Sequence, residues 1–112
     1  MNKLNLREQA ELLRHLGHPV RLAILAELLK GEKCVTDIRD LLEVPQSNIS
    51  QHLARLRQHR IVDFSEKGKL RCYYLRRPTL ARALFKFISG TYPDKPPPEN
   101  QPLACCSTQG NL

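Results

Sequence analysis

Two adjacent cysteines, Cys105 and Cys106, lie in a polar stretch of the 112-residue chain that has no apolar periodicity and therefore no core for them to pack in. Adjacent thiols are poor partners for each other in a disulfide, because their backbone atoms cannot readily adopt the bridge geometry. Thiolates instead select soft, thiophilic metal centres. These tail cysteines therefore predict a binding site for a large, soft ion.

A third thiol, Cys34, stands immediately before residues 35–42, which have the apolar period of a helix. A helix N-terminus favours a thiolate through its dipole. The proline-rich segment from Tyr92 would extend about 3.1 Å per residue, enough for the tail cysteines to reach Cys34. Cys34 is therefore a candidate third ligand. A small packing residue is the alternative for Cys34, and the stronger interpretation of Cys72.

A second kind of chemistry is indicated between Gln46 and Gln58. Ile49, Leu53 and Leu56 recur at helical spacing and form one apolar stripe. The opposite face carries amides, hydroxyls and a guanidinium with no acid, and such groups read base edges and phosphates. The segment therefore predicts a helix that reads nucleic acid. The candidate base contacts are Gln46, Ser47, Asn48, Ser50 and Gln51, with His52 and Arg55 placed toward phosphate.

The reading segment is predicted to be the second of two helices that are joined by a short turn. Residues 35–42 are predicted to form the first of them, with Val35, Ile38, Leu41 and Leu42 facing inward. Residues 43–45 form the break before the reading helix. Two helices joined by a turn of about three residues make a helix-turn-helix. Upstream, residues 5–16 and a segment from Pro19 to Gly31 also have helical periods.

After Arg60 the period changes from helical to alternating. Residues 61–66 and 70–75 are predicted strands that flank a glycine turn with a lysine on each side. A basic hairpin beside a reading helix is a wing, so the fold class is mainly α with a β-hairpin wing, a winged helix-turn-helix of the α+β type. The candidate phosphate contacts on the wing are Lys67, Lys69 and Arg71.

The division of the chain follows from composition. Pro78 can open a last helix that ends near Gly90, and from Tyr92 prolines replace any apolar period. We predict a DNA-binding and dimerisation domain over residues 1–91 and a proline-rich tail over residues 92–112. The apolar stripes of the first and last helices have little core left to cover, so they are assigned to a homodimer interface.

Charge and composition narrow the functional class. The formal net charge is +7, and residues 55–86 hold ten basic residues against two acids, a balance suited to nucleic acid. The N-terminus does not read as a signal peptide and no apolar run approaches a membrane span. We therefore expect a cytoplasmic protein with reduced thiols and no membrane partner. An enzyme is not expected, because no nucleophile has a positioned base and no phosphate-cradling loop is present.

Four motifs in order carry a family resemblance. They are residues 16–25 (LGHPVRLAIL), 31–38 (GEKCVTDI), 46–56 (QSNISQHLARL) and 68–73 (GKLRCY). Together they resemble the ArsR/SmtB family of metal-responsive winged-helix repressors over roughly residues 6–90. The resemblance implies a homodimer that sits on operator DNA and leaves it when an inducer binds. It also implies that the start of the reading helix enters the major groove while the wing touches the backbone.

The resemblance also constrains the inducer. The family's zinc-type site on the last helix is absent, because residues 78–91 contain no aspartate, histidine or glutamate. A three-cysteine run at the third helix is reduced here to Cys34, and the second helix carries Ala23 and Ala26 where persulfide-sensing relatives have a cysteine. The thiols that remain favour trivalent arsenic or antimony as inducer. Its candidate ligands are Cys105, Cys106 and Cys34.

Two alternatives stay open at this point. The first keeps the fold and makes Cys105 and Cys106 a redox or persulfide sensor. The second is a winged helix used only for protein contact, which the acid-free reading segment and the basic wing disfavour. Pro45 stands where family members often have a serine, so the cap of the reading helix is expected to differ while the fold survives.

Overall fold

The computed structural model describes residues 5–98. Within that range there are five helices and three strands, and a β-hairpin follows the fourth helix. The elements are α1 (Leu6–Leu16), α2 (Pro19–Leu29), β1 (Lys33–Cys34), α3 (Val35–Leu42), α4 (Gln46–Gln58), β2 (Val62–Lys67), β3 (Leu70–Leu75) and α5 (Pro78–Ile88). The predicted mainly α fold with a β-hairpin wing is confirmed, and the predicted helix boundaries agree with the structure to within a few residues.

The sheet contains one strand more than the predicted hairpin. Strand β1 pairs antiparallel with β3, so the strand order is β1-β3-β2. The register places Lys33 opposite Tyr73 and Cys34 opposite Cys72. A strand of two residues is too short to show an alternating pattern, which is why the sequence predicted only β2 and β3. Because α3 begins directly after β1, this pairing joins the start of α3 to the wing.

The turn between α3 and α4 is made by a residue in the left-handed region. Glu43 ends α3 with a φ of 54°, and its N–H donates to the carbonyl of Arg39 at 2.8 Å. A side chain in this conformation costs about 1 kcal/mol relative to glycine, because Cβ approaches the following carbonyl. Pro45 then starts α4 as the N-cap, and no side chain caps that helix. The change of cap expected from Pro45 is therefore confirmed.

The core is formed where α2, α3 and α4 meet the sheet. Ile49, Leu53 and Leu56 of α4 are fully buried, as the apolar stripe predicted, and Ile38 of α3 is buried against them. Leu41 contradicts its predicted inward position, since 54% of its surface is exposed. At 100° per residue it lies about 90° from the middle of the stripe formed by Val35, Ile38 and Leu42, and a helix of two turns buries only one side.

Helices α1 and α5 leave large apolar side chains exposed. Leu6 and Leu13 of α1 are 72% and 61% exposed, and Phe87 and Ile88 of α5 are 62% and 48% exposed. Soluble domains seldom expose neighbouring large apolar groups without a partner. The homodimer interface assigned to these two helices stays a prediction. Over residues 5–98, no helix combines the length and apolar character needed to cross a membrane.

Candidate nucleic-acid interface

The exposed side of α4 carries all the predicted base contacts, and we call it the reading face. The buried stripe of α4 fixes the rotation of the helix, because Ile49, Leu53 and Leu56 are 0% exposed. The polar residues between them are consequently held on the outside of the domain. The exposed members are Gln46, Ser47, Asn48, Ser50, Gln51 and Arg55.

One member of the reading face is oriented by α3. Nη1 of Arg39 donates to Oε1 of Gln46 at 3.1 Å, and Nε of Arg39 also lies 3.0 Å from a carboxylate oxygen of Asp40. With its carbonyl oxygen occupied, Gln46 keeps its amide N–H groups for an external acceptor. A base edge or a phosphate oxygen supplies such an acceptor.

His52 lies on the side of α4 that faces α2. Its Nδ1 accepts from Nε of Arg21 at 3.1 Å, while Nη1 of the same arginine donates to the backbone carbonyl of His15 at 2.9 Å. The rings of His52 and His18 are 4.4 Å apart. Acceptance from an arginine requires Nδ1 to be unprotonated, so His52 is held here as a neutral imidazole. Its predicted contact with phosphate stays a prediction.

Arg21 was not predicted as a functional residue, although it lies within a family motif. A groove between α2 and α4 is lined by Arg21 together with Gln51 and Arg55, two of the predicted DNA contacts. Burial lowers the pKa of Arg21, with a contribution from the charge of Arg55. An anion in the groove would relieve that repulsion between guanidinium groups. Only the packing of α2 against α4 could reveal this placement, since Arg21 is distant from the reading helix in sequence.

All four histidines of the chain lie in two contacting pairs near this groove. The second pair is His15 and His59, whose ring centres are 4.0 Å apart. Both are half-buried. His18 caps α2, because its Nδ1 accepts from the N–H of Val20 at 3.1 Å. Burial lowers the pKa of His52 and of His59, and the neighbouring histidine in each pair lowers it further.

Acidification is expected to destabilise the fold through these histidines. The folded pKa values of His52 and His59 lie below the ordinary 6.5. As the pH falls from about 7 toward those values, the unfolded chain binds more protons than the folded chain, so the free energy of unfolding decreases. The carboxylates of Glu11 and Asp63 do not contribute in this window, because their pKa values are lowered from 4.5 and 3.8.

Urea unfolding at about pH 7.5 and about pH 5.5 measures this effect. The double variant His52→Gln, His59→Gln keeps polar side chains that do not titrate, and it should lose most of the difference in unfolding free energy between the two pH values. A wild-type stability that is equal at both pH values would contradict the prediction.

The three predicted phosphate contacts on the wing differ in what surrounds their charged groups. Lys67 is paired with Glu32 at 2.6 Å, and this carboxylate raises the pKa of the lysine. The guanidinium of Arg71 lies 4.5 Å from the ring centre of Phe64, while Lys69 is exposed beside Gly68, whose φ of 65° closes the turn. An exposed ion pair contributes at most about 1 kcal/mol. Lys67 can therefore exchange Glu32 for a phosphate at little cost.

Part of the basic stretch is already neutralised within the domain. Asp63 lies 3.0 Å from Nε of Arg57 and 3.6 Å from Nη1 of Arg76. The N–H of Phe64 and the guanidinium of Arg57 hold the pKa of Asp63 below its usual value. Arg57 and Arg76 are thus engaged with an acid, whereas Arg55 on the reading face has no acidic partner among the described residues.

The structure brings Cys34 together with Cys72 of the wing. The two sulfur atoms are 3.2 Å apart, and both residues are free cysteines. The helix dipole was expected to favour a thiolate at Cys34, but the hydrogen bond with Cys72 is the largest cause of a raised pKa, and burial adds to it. That expectation was wrong. Cys72, which the sequence marked mainly as a packing residue, is indeed buried.

The three-thiol site predicted from the sequence stays a prediction. Cys105 and Cys106 lie outside the described residues. Over residues 5–98, no cluster of three or more histidine, cysteine, aspartate or glutamate side chains could hold a metal ion.

A helix-turn-helix followed by a basic hairpin that packs beside it defines a winged helix-turn-helix protein. The sequence model described as "Bacterial regulatory protein, arsR family" matches residues 18–63. The transcriptional repressor PagR of Bacillus anthracis is 40% identical over 87 residues, a match that covers 77% of this chain and 86% of PagR. The chain therefore belongs to the ArsR family.

Other relatives agree on the family and the fold. The repressor SmtB of Mycobacterium tuberculosis is 37% identical over 79 residues, covering 70% of this chain, and the chain spans only 58% of the length of SmtB. The solved structure of HlyU from Vibrio cholerae superposes with a TM-score of 0.69 at 30% identity, covering 80% of this chain and all of HlyU.

Proposed function

We propose that this chain is a homodimeric transcriptional repressor that binds operator DNA and is released when trivalent arsenic or antimony binds cysteine thiolates. The observation that carries the DNA-binding part is the reading face of α4. Its six exposed polar side chains include no acid, and three fully buried side chains on the other side of the helix fix its rotation. Such groups match base edges and phosphates in the major groove.

Repression is proposed from the relatives. SmtB and PagR are both described as transcriptional repressors, whereas HlyU of Vibrio cholerae is described as an activator. The dimer is supported by the exposed apolar side chains of α1 and α5, which a second copy of the chain would cover. Two reading helices related by a twofold axis would contact half-sites about one helical turn, or a multiple of it, apart.

The inducer is proposed from the thiols and from the family. Cys34 is half-buried and keeps its thiol, and in the sequence the tail cysteines follow a segment rich in proline. Soft thiolates select soft centres, and a trivalent metalloid accepts two or three of them. Cys34 is also the N-cap of α3, the helix that supports α4. A ligand that pulls on Cys34 would therefore displace the support of the reading face.

Addition of arsenite or antimonite is expected to release the protein from DNA. The measurement is electrophoretic retardation of a duplex selected from a random pool by the reduced protein. Zinc and cadmium are added in parallel lanes. Retardation should be lost with the metalloids, because thiolate ligation moves α3, and kept with zinc.

The matched variant separates DNA binding from sensing. Cys105→Ser, Cys106→Ser should retard the same duplex with unchanged affinity and should no longer respond to arsenite. A double variant that is still released by arsenite would show that the tail cysteines are not the sensor. A reduced wild-type protein that selects no duplex would overturn the DNA-binding proposal itself.

A further inference from the structure

We propose that Cys34 and Cys72 form a reversible intramolecular disulfide that joins the start of α3 to wing strand β3. The proposed bond between these cross-strand cysteines involves neither tail cysteine and does not depend on DNA binding, and it excludes ligation of the inducer by Cys34 while it is formed. The cross-strand cysteines are 38 positions apart in the sequence, and their sulfur atoms are 3.2 Å apart.

The backbone already has the geometry that a disulfide requires. Cys34 and Cys72 are directly opposite partners in the antiparallel pairing of β1 with β3. Residues opposite each other in such a pair have Cα atoms about 4.5 to 5.5 Å apart, and disulfides span Cα separations of about 4.4 to 6.8 Å. The sulfur atoms need to approach by only about 1.2 Å to reach bonding distance. No rearrangement of either strand is needed.

Access and local bonding assign a role to each sulfur. Cys34 is half-buried, whereas Cys72 is only 6% exposed. A reagent from solvent therefore meets Cys34 first, and Cys72 lies behind it as the resolving thiol. Although Cys34 is the N-cap of α3, its side chain makes no capping hydrogen bond. Conversion of this sulfur to a disulfide therefore removes no cap from the helix.

A hydroperoxide is the class of oxidant that completes the chemistry. The Cys34 thiolate attacks one peroxide oxygen, the O–O bond breaks, and the departing hydroxide takes up the thiol proton as water. Cys72 sulfur then attacks the sulfenic acid at Cys34, forming the S–S bond while the S–O bond breaks and a second water leaves with the Cys72 proton. The two sulfurs lose two electrons to the peroxide in total. A dithiol reductant reverses the reaction by exchange.

Charged side chains surround the two thiols. The groups that face them are Glu32 before β1, Asp37 of α3 and Lys67 of β2. The hydrogen bond with Cys72, burial and the two carboxylates together raise the pKa of Cys34.

The proposed bond would enclose the whole helix-turn-helix. The loop between Cys34 and Cys72 contains α3, α4 and β2. Closing a loop of this length removes conformational entropy from the unfolded chain, and the native strands supply the geometry without strain. The oxidised protein is therefore expected to be more resistant to heat than the reduced protein.

The test uses the full chain carrying Cys105→Ser and Cys106→Ser, so that only the cross-strand cysteines are present as thiols. After treatment with hydrogen peroxide, the mass should fall by about 2 Da, the two thiol hydrogens. Trypsin cuts after Lys33, Arg39, Arg71 and Arg76, so the crosslink should join the peptides 34–39 and 72–76. The midpoint of thermal unfolding should rise by roughly 10 °C and return to its starting value with dithiothreitol.

The matched controls are Cys34→Ser and Cys72→Ala in the same background. Neither should lose mass or gain thermal stability with peroxide, and the partly exposed position of Cys34 makes its variant the less disruptive of the two. Two outcomes would overturn the proposal. One is oxidation of Cys34 to a sulfinic acid without the crosslink, and the other is a crosslink between two chains in place of the intramolecular one.

Discussion

Raising the salt concentration from about 50 mM to about 200 mM is expected to weaken DNA binding by roughly 10⁴-fold. Each basic side chain on a phosphate releases condensed counterions, so affinity falls with salt in proportion to the number of such contacts. Four candidate contacts per protomer double in a dimer, which predicts a log-log slope of about −7. The candidates are Arg55, Lys67, Lys69 and Arg71.

Fluorescence anisotropy with the selected duplex at a series of salt concentrations measures the slope. Arg55→Gln removes one contact per protomer and should make the slope shallower by about 2. Lys30→Gln is the matched control, because Lys30 is an exposed cation paired with Glu27 at the end of α2. Its slope should equal that of the wild type. A flat salt response in the wild type would exclude the phosphate contacts and favour the winged helix as a protein-binding module.

Leu53→Ala is expected to lower the free energy of unfolding by about 3 kcal/mol. Leu53 is 0% exposed and lies in the core cluster with Ile49 and Leu56. Its truncation removes apolar contacts and leaves a cavity that the surrounding side chains fill only in part. Because small domains are stable by about 5 to 15 kcal/mol, the loss is a large share of the total.

The control substitution separates the effect of burial from the effect of the leucine-to-alanine change itself. Leu41→Ala makes the same chemical change in α3 at a side chain that is 54% exposed, and it should cost about 0.5 kcal/mol or less. Urea unfolding followed by circular dichroism gives both values, provided that the two variants share the wild-type dependence on denaturant. Equal losses in the two variants would contradict the burial of Leu53 and the exposure of Leu41.

Much of the fold could be predicted because its elements carry local signals. The stripe of Ile49, Leu53 and Leu56 repeats with the period of a helix, and Pro19 and Pro78 mark positions where helices begin. These signals depend on neighbours within a few residues in the chain. Strand β1 has no such signal, since two residues cannot show a period. Its existence depends on β3, which lies almost forty residues further along.

The candidate site also has one part that local sequence signals predict and another part that depends on contacts between distant elements. The reading face could be predicted because Gln46, Ser47 and Gln51 share one helix with the apolar stripe that rotates them outward. The contact of Arg21 with His52 joins α2 to α4 across 31 positions, and the contact of Lys67 with Glu32 spans 35. No period or spacing links residues so far apart. Only the packing of the elements brings them within hydrogen-bonding distance.

The cysteines show most plainly where sequence alone was sufficient and where it was not. The sequence determined that the chain has four thiols, that two of them are adjacent, and that Cys34 precedes a helix. The tertiary structure decided that Cys34 faces Cys72, because pairing of β1 with β3 sets their register. It also decided that the pKa of Cys34 is raised, since a neighbouring thiol and burial both raise it. Residue types and periods are properties of the local chain, whereas partners and electrostatic surroundings depend on which distant elements pack together.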